Sequence, residues 1–297
     1  MKFKVTKNNR LTPSQLKIPL HCLSIKGTLQ QQLSMSVILL DNRVNLSGKN
    51  TCDSDINADS ISLFKLPSFP ITYRCALAYP LAVSLKLPVS SVAHQLQKSL
   101  LKLTEQQDCH SSWEFSLQVI PPGWLDFQLS EQSLALWLEQ IHSRFCHTLT
   151  GKTPIHSPLQ YTHNRCFSLL NSAHRHGLIK LIEHNHATEI LQWLEPKPIP
   201  WIIVNTGFWQ LNHPSEIYII DQFCTVVDAL GESNQAKREK LGINLSAAFL
   251  DFESNCRIWG DKSDYSALKQ ARLGLIAICH VLLGQLLSKE AKENHSN

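Results

Sequence analysis

Residues 157–178 read SPLQYTHNRCFSLLNSAHRHGL, and this stretch decides how the second half of the chain is interpreted. Leu159, Cys166, Leu170 and Ala173 recur at spacings of seven, four and three residues, which is one face of an α-helix. Gly177 stands where such a helix would end. The sequence therefore predicts an amphipathic helix from Leu159 to His176 that buries one apolar stripe.

The opposite face of this predicted helix carries an aromatic ring beside a guanidinium. Tyr161 and Arg165 are four residues apart, so their side chains lie on the same side of the helix. An exposed ring next to a cation suits an unpaired base beside a phosphate. A solvated face with a cation–π pair is the alternative, and this stretch alone favours it because such pairs are common on helices.

The composition of the chain is that of a folded protein rather than a disordered one. The chain has 297 residues, is 43% hydrophobic and carries a formal charge of +4. These values are typical of a folded protein of up to two domains, and they favour modest rather than strong electrostatic binding of nucleic acid. The nine cysteines form no Cys-x-x-Cys pair and no secretory signal precedes them, which favours reduced thiols and a cytoplasmic location.

The sequence offers no cofactor or metal motif. Neither a Gly-x-x-x-x-Gly-Lys loop nor a Gly-x-Gly-x-x-Gly loop occurs. The pairs His174/His176 and His184/His186 have a spacing that points to different sides of a helix, and no cysteine or carboxylate cluster completes a ligand set. The longest apolar stretch, at residues 273–287, is interrupted and short for a membrane span. We therefore expect neither metal, cofactor nor membrane as a partner.

Organisation along the chain predicts an α+β fold, with a small α+β N-terminal module followed by an all-α helical bundle. Residues 1–68 are poorly legible, although SMSVILL at 34–40 suggests a strand. Residues 69–146 read as the α+β module, 147–156 as a linker and 157–297 as the helical domain. Within the module we expect strands at 114–120 and 124–130 and helices at 73–87, 88–103 and 131–145; in the helical domain we expect further helices at 178–194, 214–230, 244–260 and 264–293.

Several stretches, in order, resemble parts of arginyl-tRNA synthetases. PPGWLDFQLS at 121–130 resembles the GPGFINFRL signature of that family's N-terminal accessory domain, and residues 73–100 resemble its helical part. PLQYTHNRCFSLL at 158–170 is similar to the LQYAHARICSIL that opens the family's anticodon-binding domain, the DALR domain. Residues 211–223, 245–261 and 271–287 resemble later segments of the same domain.

The resemblance implies two tRNA-binding parts without the enzyme between them. The family's catalytic core carries HIGH-like and KMSKS-like motifs, and neither occurs here. About ten linker residues stand in its place, whereas a nucleotide-binding domain needs on the order of 100. We therefore expect no ligase activity.

The resemblance also implies where RNA would bind. On the elbow side the family's contacts fall on Trp124 and Asp126, where Asp126 replaces an amide with an acid. On the anticodon side they fall on Tyr161, Asn164 and Arg165, with Arg272 on the last helix.

Three hypotheses follow: a non-catalytic binder of tRNA, with arginine tRNA as the candidate; a protein-docking module that has lost RNA binding and docks on arginyl-tRNA synthetase; and a split subunit that needs a catalytic partner. The first is favoured by a small margin.

Overall fold

The structure, a computed structural model, describes most of the chain: residues 19–46, 58–106, 113–148, 157–184, 190–203, 205–231, 234–259 and 266–288. Over these residues the chain forms eight α-helices: α1 Ile25–Leu46, α2 Ala78–Leu85, α3 Val89–Gln106, α4 Glu131–His142, α5 Pro158–Arg175, α6 Pro214–Ala229, α7 Gln235–Asn255 and α8 Ser266–Ser288. The strands of the same residues are β1 Leu63–Leu66, β2 Thr72–Cys75, β3 Phe115–Ile120, β4 Trp124–Leu129, β5 Cys146–Thr148, β6 Lys180–His184 and β7 Ile190–Glu195. The fold is therefore α+β, as the sequence predicts.

The first four strands form one antiparallel sheet in the order β1-β2-β4-β3. The expected hairpin is confirmed as β3 and β4, which pair antiparallel with Ile120 opposite Trp124. Alternate residues of β4 point inward, so Leu125, Phe127 and Leu129 are buried. Helix α3 packs on this inner face. The opposite face of the sheet is open to solvent, and Phe64 on that face is 55% exposed.

Two predictions for the N-terminal part are wrong. The SMSVILL segment is not a strand but lies inside α1, where Leu29, Leu33 and Leu40, at spacings of four and seven residues, are buried on one side of the helix. The helix expected at 73–87 begins only at Ala78, because its first residues form β2 at the centre of the sheet. Pro80 then falls in the first turn of α2, where its missing N–H leaves no helical bond unmade.

In the second half, four of the expected helices are present as α5, α6, α7 and α8, but α7 begins at Gln235 rather than at residue 244 and ends at Asn255 rather than at residue 260. Their starts are capped locally. Ser157 accepts a hydrogen bond from the amide of Gln160 at the start of α5, Asn234 caps α7 in the same way, and His213 forms a capping box with Glu216 at α6.

The all-α description of this half is wrong. The segment expected to be helical at 178–194 instead contains strands β6 and β7, which join β5 in a three-stranded sheet in the order β5-β7-β6. Leu181 and Trp193 are opposed in the ladder and both are buried. The buried apolar residues of these strands thus alternate with a period of two. The helix was expected only because the segment contains many apolar residues, and apolar content alone does not distinguish a helix from a strand.

The two halves share a continuous buried core. Lys65 on β1 forms an ion pair of 2.6 Å with Asp221 on α6. Trp137 on α4 donates a 2.8 Å hydrogen bond to the carbonyl of Leu23, and α4 packs directly on α8. The predicted linker falls largely outside the described residues, although β5, at its start, pairs with β7. The domain boundaries stay a prediction.

Helix α8 has the length and apolar composition of a membrane-spanning helix, which the sequence had not suggested. The window that meets this criterion is 72% buried inside the protein. Thirteen of its residues, from Ala271 to Leu286, are buried. Packing against α4, α5, α6 and α7 accounts for its composition, because a helix surrounded by others is apolar on all sides.

Candidate nucleic-acid interface

Helix α5 presents the predicted polar face to solvent. Its inner side buries Leu159, Cys166 and Leu170, and the chain turns away at Gly177, whose φ of +71° is costly for any residue with a side chain. Tyr161 is 51% exposed on the outer side. Asn164, Arg165 and Ser168 follow it as exposed residues. The three residues that the resemblance assigns to the anticodon side of α5 therefore share one accessible face.

Arg165 forms an ion pair with Glu253 on α7. Its Nε and Nη2 atoms lie 2.8 and 2.6 Å from Oε1 of Glu253 on α7. The hydrogen bond to Glu253 raises the pKa of Arg165. The arginine side chain remains 44% exposed and that of Glu253 24% exposed. The carboxylate of Glu253 thus holds the guanidinium in place, and because both side chains are partly accessible to water, the ion pair contributes little to stability.

A cleft of about 160 Å³ opens beside this ion pair, between α5, the end of α7 and α8. Its polar rim consists of Arg165, Glu253 and Arg257, and its floor is apolar. Helix α7 can approach α5 closely because Gly242 has no side chain: a Cβ there would overlap with Leu159. Gly242 and Leu159 lie outside the cleft itself, which is lined by both signs of charge.

Trp259 and Arg257 were not selected from the sequence, yet both line the cleft. They follow the end of α7 at Asn255 in a segment without regular structure. The Trp259 indole is 37% exposed and lies 5.2 Å from the His176 ring at the end of α5. The sequence pattern had assigned this segment to a helix. An arginine and a tryptophan two residues apart, just before Gly260, could have pointed to this site, but the helix assignment gave no reason to select them.

Arg272 is placed differently from the other predicted residues. Its Nε donates a 2.7 Å hydrogen bond to Glu216, whose side chain is 1% exposed, and its Nη1 donates to the carbonyl of Arg257. Glu216 also completes the capping box of α6. Arg272 does not line the cleft. Its visible role is to hold the backbone of Arg257 against α6, and direct contact with RNA stays a prediction.

The elbow-side residues lie on the open face of the four-stranded sheet. Asp126 accepts two hydrogen bonds of 2.7 Å from Arg74 on the neighbouring strand. The Arg74 guanidinium lies 5.8 Å from the centre of the Trp124 ring, which packs 5.2 Å from Tyr79. The acid that replaces an amide at this position is therefore neutralised by its neighbour, and Trp124 is held by contacts on two sides.

The structure groups the predicted residues in three places: one face of α5, the open sheet face and the buried ion pair of Arg272. Among the residues that the structure describes, no group of three or more histidine, cysteine, aspartate or glutamate side chains is arranged to hold a metal ion. The arrangement supplies rings and guanidinium groups, which can stack and form hydrogen bonds, and carboxylates that are each paired with an arginine, namely Asp126, Glu216 and Glu253.

Comparisons of the chain with protein-family models, with curated proteins and with solved structures each returned no match.

Proposed function

We propose that this protein is a non-catalytic tRNA-binding protein, resembling the accessory and anticodon-binding parts of arginyl-tRNA synthetase. The observation that carries the proposal is the juxtaposition on α5. Exposed Tyr161 lies one helical turn from Arg165, which enters a cleft also lined by Arg257 and Trp259. Such a protein would work in the cytoplasm, where tRNA is used.

The chemistry of this face suits an unpaired segment of RNA. An exposed ring stacks on a base without regard to its identity, and each stacked base contributes roughly 1–3 kcal/mol. A guanidinium meets a phosphate or the edge of a base through several donors. A cleft of about 160 Å³ is small, so it suits a single planar group rather than a double helix. Loops of RNA display such groups.

The choice of tRNA among RNAs comes from the family resemblance. The stretch that contains Tyr161, Asn164 and Arg165 is the one that looks like the opening of the DALR domain, and Trp124 is the aromatic of the accessory-domain signature. Arginine tRNA is accordingly the first ligand to test.

A second candidate is a protein-docking module that pairs with arginyl-tRNA synthetase, whether as a regulator or as a split subunit. The charges that RNA would use are already compensated, since Arg165 pairs with Glu253 and Arg74 with Asp126. Large apolar side chains are meanwhile exposed elsewhere: Val83 is 80% and Phe208 is 68% exposed. Isolated exposed apolar residues are common on soluble proteins, which is why this candidate ranks second.

The test is the affinity for arginine tRNA at several salt concentrations, for the wild type and single variants. Tyr161→Ala should lose roughly 1–3 kcal/mol of binding with little change in salt dependence. Arg165→Ala should weaken binding and flatten the salt dependence by about one phosphate contact. Tyr218→Ala is the matched control, because Tyr218 is an exposed tyrosine on α6 that does not line the cleft.

The outcome separates the two candidates. If wild-type protein binds no tRNA at low salt, RNA binding is excluded and protein docking becomes the better explanation. If Tyr218→Ala weakens binding as much as Tyr161→Ala does, tRNA binds but not through the face of α5.

A further inference from the structure

The charged side chains that the structure describes in the helical layer of α1, α2 and α3 all have one sign. The described side chains of residues 25–40 and 78–103 include Lys26, Lys86, Lys98 and Lys102, and none of them is a carboxylate. Asp41 and Glu105 belong to these helices, but their side chains are outside the described set. Protein surfaces usually intersperse both signs, so a layer with four lysines and no described acid is unusual in a chain with a formal charge of only +4.

On α3 the basic residues fall in a straight row. His94, Lys98 and Lys102 occupy successive turns at a spacing of four residues, and all three are exposed. One such step is about 6 Å along the helix axis. Lys86, at the left-handed end of α2 and three residues before α3, is also exposed. We call Lys86, His94, Lys98 and Lys102 the α3 row.

The charge of the α3 row is not compensated within the described part of the protein. The ion pairs found there involve other cations, namely Lys65, Arg74, Arg165, Lys180 and Arg272. His94 contacts only the backbone of its own helix, through Nδ1 and the carbonyl of Ser90 at 2.7 Å. The three lysines of the row therefore present accessible positive charge that no described acid neutralises, in contrast to Arg165 and Arg74.

We propose that the α3 row binds the phosphate backbone of a structured RNA, as a second contact separate from the cleft beside α5. This inference rests on the proposed function and adds to it a site for the sugar-phosphate chain. Lysine ammonium groups act as point charges that follow a phosphate backbone without reading bases. Their repeat of one helical turn is comparable to the separation of successive phosphates along a strand.

Burial of the other side of α3 decides between RNA and a membrane surface. A helix that binds lipid inserts an apolar face into the bilayer. The apolar face of α3, with Val92, Leu96 and Leu100, is buried in the core of the protein. The accessible side carries the lysines together with isolated apolar side chains, such as Leu101 on α3 and Val83 on α2, rather than a continuous apolar face that could insert, and this fits a polyanion better.

Two separate contacts predict a dependence on ligand length. An isolated anticodon stem-loop would fill the cleft of α5 alone, whereas a whole tRNA would also meet the α3 row. When two sites engage one ligand, the second contact forms at a high effective concentration. Full-length tRNA should therefore bind more tightly than the stem-loop, and only the full-length ligand should respond to changes in the α3 row.

The experiment compares the double variant Lys98→Gln/Lys102→Gln with Lys237→Gln/Lys240→Gln. The control pair removes the same charge from exposed positions at the start of α7. Binding of whole arginine tRNA and of its anticodon stem-loop is measured at salt concentrations between about 50 and 200 mM. The α3 double variant should bind whole tRNA roughly tenfold or more weakly at about 0.1 M salt, with a salt slope smaller by nearly two. The control pair should retain most of its affinity, and the stem-loop should bind both variants equally.

Three results would overturn the inference. Unchanged tRNA affinity and salt slope in the α3 double variant, together with a defect in Tyr161→Ala, would exclude the α3 row and leave the proposed function intact. Failure of the wild type to bind tRNA at low salt would exclude both. Binding to phosphatidylserine vesicles that needs Lys98 and Lys102, with tRNA binding that does not, would assign the row to a membrane surface.

Discussion

The hydroxyl of Tyr73 on β2 donates a 2.5 Å hydrogen bond to Asp228 on α6, which ties the four-stranded sheet to the helical part of the molecule. The same carboxylate accepts from the hydroxyl of Ser24 and from the backbone amide of Lys26 at the start of α1. Burial raises the pKa of Asp228 against the opposing effect of these hydrogen bonds. One acidic side chain therefore holds three segments that are far apart in sequence.

We expect Tyr73→Phe to destabilise the protein by about 1–3 kcal/mol, because Asp228 would keep its burial and lose a donor. Urea unfolding of wild type and variant measures the difference in free energy. Tyr218→Phe removes the same hydroxyl from an exposed tyrosine and should change stability by less than about 0.5 kcal/mol. Equal losses in both variants would mean that the contact with Asp228 contributes no specific stability.

His142 should make the fold sensitive to acid. Its ring is 2% exposed, lies 4.6 Å from that of Trp193 and finds no hydrogen-bond partner for either nitrogen among the described residues. Burial, and secondarily the charge of Lys197, lower its pKa to about 3, whereas in the unfolded chain it is about 6.5. Between these values the unfolded state binds one more proton. The free energy of unfolding should thus fall by about 1.4 kcal/mol for each pH unit below about 6.5.

His142→Phe keeps the edge-on contact with Trp193 and removes the titrating group, so it should flatten this acid dependence. Urea unfolding at about pH 7.5 and about pH 5 gives an expected gain of roughly 2 kcal/mol at the lower pH relative to wild type. His21→Phe, at an exposed position, is the control. An acid loss in His142→Phe as large as in wild type would assign the titration to other groups, such as His163, whose pKa burial also lowers.

Glu253→Gln should strengthen RNA binding rather than weaken it. The glutamate holds Arg165 at 2.6 Å and adds negative charge to the rim of the cleft. Removing that charge frees the guanidinium for a phosphate, so tRNA affinity should rise several-fold with a steeper salt dependence. Glu239→Gln changes an exposed acid on the same helix outside the cleft and should have a smaller effect. Weaker binding by Glu253→Gln would show that the ion pair positions Arg165 for RNA.

The purified chain should not support arginine-dependent exchange between pyrophosphate and ATP. The sequence holds no phosphate-binding glycine loop and no HIGH-like or KMSKS-like motif, and only about ten residues separate the two stretches that resemble the synthetase family. Exchange is measured with labelled pyrophosphate after removal of contaminating synthetase. Persistent exchange that follows the protein through purification would refute the non-catalytic assignment.

The sequence by itself determined those elements whose apolar residues repeat clearly along the chain. Helices α3, α4, α5 and α6 and the β3–β4 hairpin were predicted from periodicity, caps and the Pro-Pro-Gly turn. It also selected Tyr161 and Arg165 as neighbours on one exposed face, because the position of a side chain around a helix depends only on sequence spacing.

Only the tertiary structure decided what depends on contacts between distant segments. A segment with many apolar residues, such as 178–194, fits a helix or a strand until its pairing is known; here β6 pairs with β7 inside the segment, and β7 pairs in turn with β5. The same holds for charge: Asp126 and Arg165 look like free charges in the sequence, yet each is paired with a residue from another strand or helix. The two ion pairs join residues that are 52 and 88 positions apart, and such contacts leave no local pattern in the sequence. For the same reason, the cleft that contains Arg257 and Trp259 is defined only by the packing of α5, α7 and α8.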